Sequence, residues 1–149
     1  MKAKLLSADG EQTHVLVFDT GDEVMATLRS FAAEHGLTAA HFVGIGALSD
    51  VVLGYLDWER KDYEPIPLRE QVEVLSLAGD IAEKDGDPDV HAHITVGRRD
   101  GAAYGGHLIE AHVRPTLELV LTETAEHLRK RSDPETGLAL IDLDDKEER

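Results

Sequence analysis

The sequence contains no cysteine, which closes two routes at once: no disulfide can brace the fold, and no thiolate can serve as nucleophile or metal ligand. Any bound cation must be held by nitrogen and oxygen. Basic residues are scarce, fifteen against thirty acidic ones, so the formal charge of -15 repels phosphate backbones and anionic membranes at long range. No apolar run approaches membrane-spanning length, and the first ten residues lack the apolar stretch of a signal peptide. The expectation is a cytoplasmic protein with no membrane partner. Internal repeats, low-complexity tracts and Pro/Gly/Ser linkers are missing too, so residues 1–143 read as a single domain and 144–149 as a charged C-terminal tail. The glycines form neither a phosphate-binding loop nor a dinucleotide fingerprint, and Ser49 has no histidine and acid at a recognisable local spacing.

What is present is mostly strand. Val15, Leu16, Val17 and Phe18 make a short β-rich run within 12–19. A helix follows: Thr20 and Glu23 stand at capping-box spacing, Val24, Leu28, Phe31 and Ala32 recur on one face, and Gly36 ends it. Residues 40–58 read as two strands or one bent strand whose apolar content predicts burial on both faces, with Gly44, Gly46 and Gly54 admitting bulges. A long strand is expected over 69–81, with Val72 and Val74 opposing Glu73, Leu75 and Leu77. Residues 90–97 alternate strictly, His91, His93 and Thr95 on one face and Ala92, Ile94 and Val96 on the other, before Arg-Arg-Asp-Gly turns the chain. Strands over 106–113 and 116–122 meet at a bend marked by Pro115, a short helix is expected over 125–131, and an edge strand over 138–143. About seven or eight strands to one main helix define an α+β fold: a curved, mainly antiparallel (mixed) sheet approaching a barrel, with one main flanking helix.

Residues two apart on a strand point to the same side, so His91 and His93 present their imidazoles in parallel. Among eight histidines one such pair is unremarkable, and alone it reads as a solvated or core pair. His107 changes the weighting, because it follows Gly105 and Gly106 on the strand that a hairpin folds back beside that pair. Three neutral imidazoles with an open fourth position are the pattern of a catalytic or exchangeable zinc site. The metal ligands are therefore expected to be His91, His93 and His107. His14, His35, His41, His112 and His127 have no such support, and His35 suits the helix C-terminus, where a cation or donor is favourable. Glu73 and Glu118 sit inside apolar strands and face outward or pair with Arg69 or Arg114; otherwise one of them stands beside the metal as orienter or base.

Several segments together resemble the PPC (plants and prokaryotes conserved) domain: VGIGALSDVVLGYLD, QVEVLSLAGDI, VHAHITV and YGGHLIEAHVRPTLELVL, in family order over residues 4–121. The resemblance is to the prokaryotic stand-alone type. It implies a homotrimer and a divalent ion, with zinc the expected one, on the histidines matching His91, His93 and His107, with room for a small-molecule ligand at the metal. Plant members carry an AT-hook, which is why the family is often labelled DNA-binding. No such basic segment is present here, and Arg98 and Arg99 lie in a turn followed by an aspartate, so direct DNA binding is not expected. Whether the protein is an enzyme stays open. The alternative reading is a non-enzymatic, DNA-associated or regulatory trimeric module.

Overall fold

Alternation of apolar and polar residues drives most of the chain into strands. The computed structural model describes residues 1–7, 11–125 and 127–143, and among these it holds nine strands and one helix. They are β1 (Lys2–Ser7), β2 (Gln12–Phe18), α1 (Val24–His35), β3 (Ala39–Asp57), β4 (Asp62–Leu68), β5 (Val72–Lys84), β6 (Asp87–Gly97), β7 (Ala103–Glu123), β8 (Arg129–Ser132) and β9 (Ala139–Asp142). Strand β3 pairs with β5, β5 with β6, β6 with β7, and β7 returns to β3, all antiparallel. The expected near-barrel is thus a closed ring of four strands rather than an even barrel. From it β2 and β1 continue beyond β7, β4 hangs on β3, and β8 joins β5 through the one parallel pairing among the described residues. No helix among them is long and apolar enough to cross a membrane.

Leu16, Phe18, Phe42, Leu48, Leu77, Ile81, Leu108 and Leu117 fill the core, and α1 closes over it with Val24, Met25, Leu28, Phe31 and Ala32. Each fully buried leucine or phenylalanine contributes about 2 kcal/mol of transfer free energy. The helix lacks the expected capping box. Glu23 is itself the N-cap, its carboxylate accepting from the backbone N–H of Met25 and Ala26 and also from that of Ala111 on β7. Thr20 instead donates to the Pro115 carbonyl at 2.9 Å. Gly36 ends the helix in the left-handed conformation, φ 63°, as read from the sequence.

Four other expectations are corrected. Residues 125 and 127–131 are not helical, residue 126 lying outside the described ones: β8 starts at Arg129, drawn beside Glu83 of β5. Leu77 shares the buried face with Val72 and Val74, because a bulge between Val74 and Ser76 shifts the alternation by one residue. Strand β3 is one irregular strand with one apolar side left outside, where Val43 and Ile45 are 57% and 64% exposed. The strands β1 and β4 were not anticipated. Pro65 and Pro67 disguise β4, yet an edge strand paired only with β3 tolerates proline at alternate positions, where no ladder donor is needed. Pro115 does fall at the irregular stretch of β7, opposite β3 between Gly46 and Leu48, and β9 falls within the expected edge strand. The charged tail, 144–149, lies outside the described residues.

Candidate metal centre

The strict alternation of β6 survives in the structure: Val90, Ala92, Ile94 and Val96 are buried, while His91, His93 and Thr95 look the other way. The turn after Gly97, with Gly101 at φ 82°, folds β7 back so that His93 and His107 stand directly opposite one another. Gly106 matters here for close approach rather than flexibility, since a Cβ on it would lie 2.7 Å from the Gly54 carbonyl of β3. β7 is thereby seated between β3 and β6 with His107 at the junction.

Register thus brings together the three histidines. One nitrogen from each of His91, His93 and His107 lies within 4.8 Å of the others, the one such cluster of three found among the described residues. Ring centroids are 5.0, 5.2 and 5.6 Å apart. Tyr63 of β4 stacks on His107 at 4.2 Å, nearly parallel, and covers one face of the site. His91 remains 43% exposed on its side chain, so solvent reaches the cluster.

The protonation state suits a cation. Burial pushes the His107 imidazole down to about 4, helped by the neighbouring His91 and His93 and by the charge of Arg29. Burial, then His91, also lowers His93. Neutral imidazole is the ligating form. Moreover His107 Nδ1 is buried without a hydrogen-bond partner, a condition that costs stability unless something fills it. An all-nitrogen set of three suits zinc, which accepts imidazole ligands and an open fourth position.

Sequence reasoning missed the carboxylate nearest the site. It is Asp80, the cross-strand partner of His91, with Oδ2 3.5 Å from His91 Nδ1. Burial alone would raise the Asp80 carboxyl, but its contacts with His91 and Lys130 outweigh this and hold it below the ordinary range. Glu73 and Glu118 are both exposed and pair across the sheet with Gly97 and Ile45, away from the histidines. Of the other histidines, His35 Nδ1 lies 2.9 Å from the Phe31 carbonyl in the last helical turn. His112 Nδ1 meets Asp50 at 2.9 Å and His127 Nε2 meets Glu83 at 2.6 Å. Ser49 donates its hydroxyl to Asp50, not to an imidazole, so no nucleophile is activated there.

Fold and site together define a small α+β protein whose ring of four strands carries a cluster of three histidines with the spacing to hold a cation. The chain belongs to the Plants and Prokaryotes Conserved (PCC) domain family, whose profile matches residues 6–125. A metal-containing protein from Archaeoglobus fulgidus is 34% identical, with a TM-score of 0.80 over 93% of this chain and 95% of that one. A Bacteroides thetaiotaomicron protein described as a candidate DNA-binding protein is 28% identical, with a TM-score of 0.84 over 94% and 96%. Among curated proteins, the bifunctional protein GlmU of a Synechococcus strain is 32% identical over 121 residues, which are 78% of this chain and 18% of that protein. This chain therefore corresponds to under a fifth of that relative.

Proposed function

We propose that this protein binds a divalent ion, zinc by preference, through His91, His93 and His107, with the fourth position open to water or a small-molecule ligand. The observation that carries this reading is the approach of one nitrogen from each of three imidazoles to within 4.8 Å of the others; His107 Nδ1 is in addition buried and unpartnered. The metal-containing relative from Archaeoglobus fulgidus adds support. An ion with an open position supplies a Lewis acid, which polarises a carbonyl or lowers the pKa of water, and thus suits a small-molecule lyase or hydrolase. Burial lowers the proton affinity of His107 and His93, and Tyr63 shields one side of His107 from solvent. Elemental analysis with X-ray absorption on protein purified without added chelator tests the reading. About one zinc per chain in a nitrogen-rich shell is expected, and a metal-free protein that takes up no zinc overturns it.

The same reading includes a homotrimer. Val43 and Val120 pair across β3 and β7 on the outward side, and with Ile45 and Leu75 they leave an apolar face 43–64% exposed that a second copy would cover. Light scattering at micromolar concentration decides this, and a monomer mass removes it. A DNA-associated module is the other reading, favoured by the description of the Bacteroides relative. Against it stand the charge of -15 and the pairing of Arg98 with Glu70 and of Arg131 with Asp142. No duplex binding is expected at physiological salt; submicromolar, salt-sensitive anisotropy would reverse that judgement.

A further inference from the structure

Strands β8 and β9 lie beyond the residues that the family profile matches, and they deliver a lysine to the flank of the histidine cluster. Their hairpin meets the ring through a single parallel residue pair, Glu83 with Arg129. The rest of the attachment is polar: Glu83 N–H donates to the Leu128 carbonyl at 2.8 Å and Leu128 N–H to that of Thr38 at 3.3 Å. Lys130 is the buried member of β8, its side chain 1% exposed. An ammonium so placed needs counter-charge. Its Nζ forms an ion pair with Asp80 Oδ1 at 2.6 Å and donates a hydrogen bond to Asp89 Oδ2 at 3.1 Å. The remaining oxygen of Asp80, Oδ2, faces His91 Nδ1 at 3.5 Å, an approach that a small rotation of either side chain would turn into a hydrogen bond.

We propose that Lys130 is a positioning residue for the cation site: by pinning one oxygen of Asp80 it aims the other at His91, keeps the proton of that imidazole on Nδ1 and leaves Nε2 for the ion. The consequence for the ion rests on the metal reading above, whereas the chain of contacts from Lys130 through Asp80 to His91 stands without it. A carboxylate with both oxygens free would rotate and orient nothing. Fixing one end turns it into a directional acceptor, which is how carboxylates set the tautomer of ligating histidines. Asp89 serves as the contrast, since it also holds Lys130 but faces no ligand within the cluster.

The donor pattern makes the proposal testable. In Asp80→Asn the amide oxygen is claimed by Lys130, so the NH2 group turns to His91 and forces its proton onto Nε2. Nitrogen NMR of the metal-free protein, above the pH at which imidazoles protonate, reads that tautomer directly. Wild type is expected to carry Nδ1–H on His91, D80N to carry Nε2–H, and D89N to match wild type. Zinc affinity, measured by chelator competition, should fall about 10–100-fold in both Asp80→Asn and Lys130→Met. Lys130→Arg should retain most of it. In the double variant Lys130→Met/Asp80→Asn the amide is free to turn its oxygen back, so Nδ1–H should return and zinc binding should partly recover. A purely structural lysine predicts that the double variant is worse than either single one, and that result overturns the proposal. So does an unchanged tautomer in D80N, which needs no lysine replacement and decides the matter if Lys130→Met fails to fold by circular dichroism. If wild type takes up no zinc while the tautomer still follows these substitutions, the metal reading falls and the positioning role remains.

Discussion

Histidines cluster in two places. On β6 and β7, His91, His93 and His107 stand 5.0–5.6 Å apart by ring centroid; where β2 meets α1, His14 and His35 are 5.6 Å apart, with Phe31 against both. Each cluster contains a buried nitrogen without a partner, His107 Nδ1 in one and His14 Nε2 in the other. Burial lowers the proton affinity of both His107 and His14. Yet only the first has three ligand atoms within 4.8 Å. In the second, His35 stacks on Phe31 at 4.0 Å and its Nδ1 already meets the Phe31 carbonyl. Burial therefore suffices to lower the proton affinity of His14 and of His107, but a ligand set also needs nitrogens that converge and are not otherwise engaged.

The sharpest way to break that contrast is substitution. His91→Ala, His93→Ala and His107→Ala should each cut zinc affinity by about 100-fold or more, while His14→Ala and His35→Ala leave it within about twofold. Metal analysis of the folded variants checks this. Zinc lost equally from the His14 variant would mean that the two clusters are coupled. A second test acts on the strands that seat the triad. A Cβ on Gly79 of β5 would lie 2.3 Å from the His91 carbonyl and 2.3 Å from Phe42 Cζ, so Gly79→Ala must push β6 away from the core. A loss of about 3 kcal/mol is expected from denaturant midpoints, together with weaker zinc binding. An unchanged midpoint would show that β6 is not clamped there.

How much of this was legible follows from range. The period-2 pattern of β6 and the turn at residues 98–101 are local, so His91, His93 and His107 could be brought together from sequence alone. Asp80 could not, because its place opposite His91 depends on β5–β6 register, and a bulge between Val74 and Ser76 had already broken the alternation upstream. Lys130 sits in Arg-Lys-Arg-Ser, within the stretch over 125–131 expected as a short helix, and nothing local marks it for burial. Only the parallel docking of β8 on β5 buries it between two aspartates. The outward apolar side of β3 looked doubly buried because composition reports how apolar a strand is, not what covers it.

The last effects are pH-dependent, the smallest of them at His112, and they separate the clusters from a third site by sign. In the metal-free protein the folded value for His107 is about 4, against about 6.5 when unfolded, so between these values the unfolded chain holds more protons. Stability should therefore fall as pH drops from about 6.5 to about 4, by at most about 3 kcal/mol from this residue, with His14 adding in the same direction. His107→Asn should flatten most of that slope and His14→Asn a smaller part. His112 behaves in the opposite sense, because its hydrogen bond and charge pairing with Asp50 raise its proton affinity. Its contribution is fully present below about pH 6.5 and is lost as pH rises through the higher folded value. With the imidazole 37% exposed, solvent screening leaves only a few tenths of a kcal/mol. An NMR titration of the metal-free protein reads both signs in one experiment, with His112 taking up its proton before His107 on acidification. If His107 protonated before His112, burial in the triad would be too loose to keep the His107 imidazole neutral and ready, and the distinction between the clusters would fail at its root.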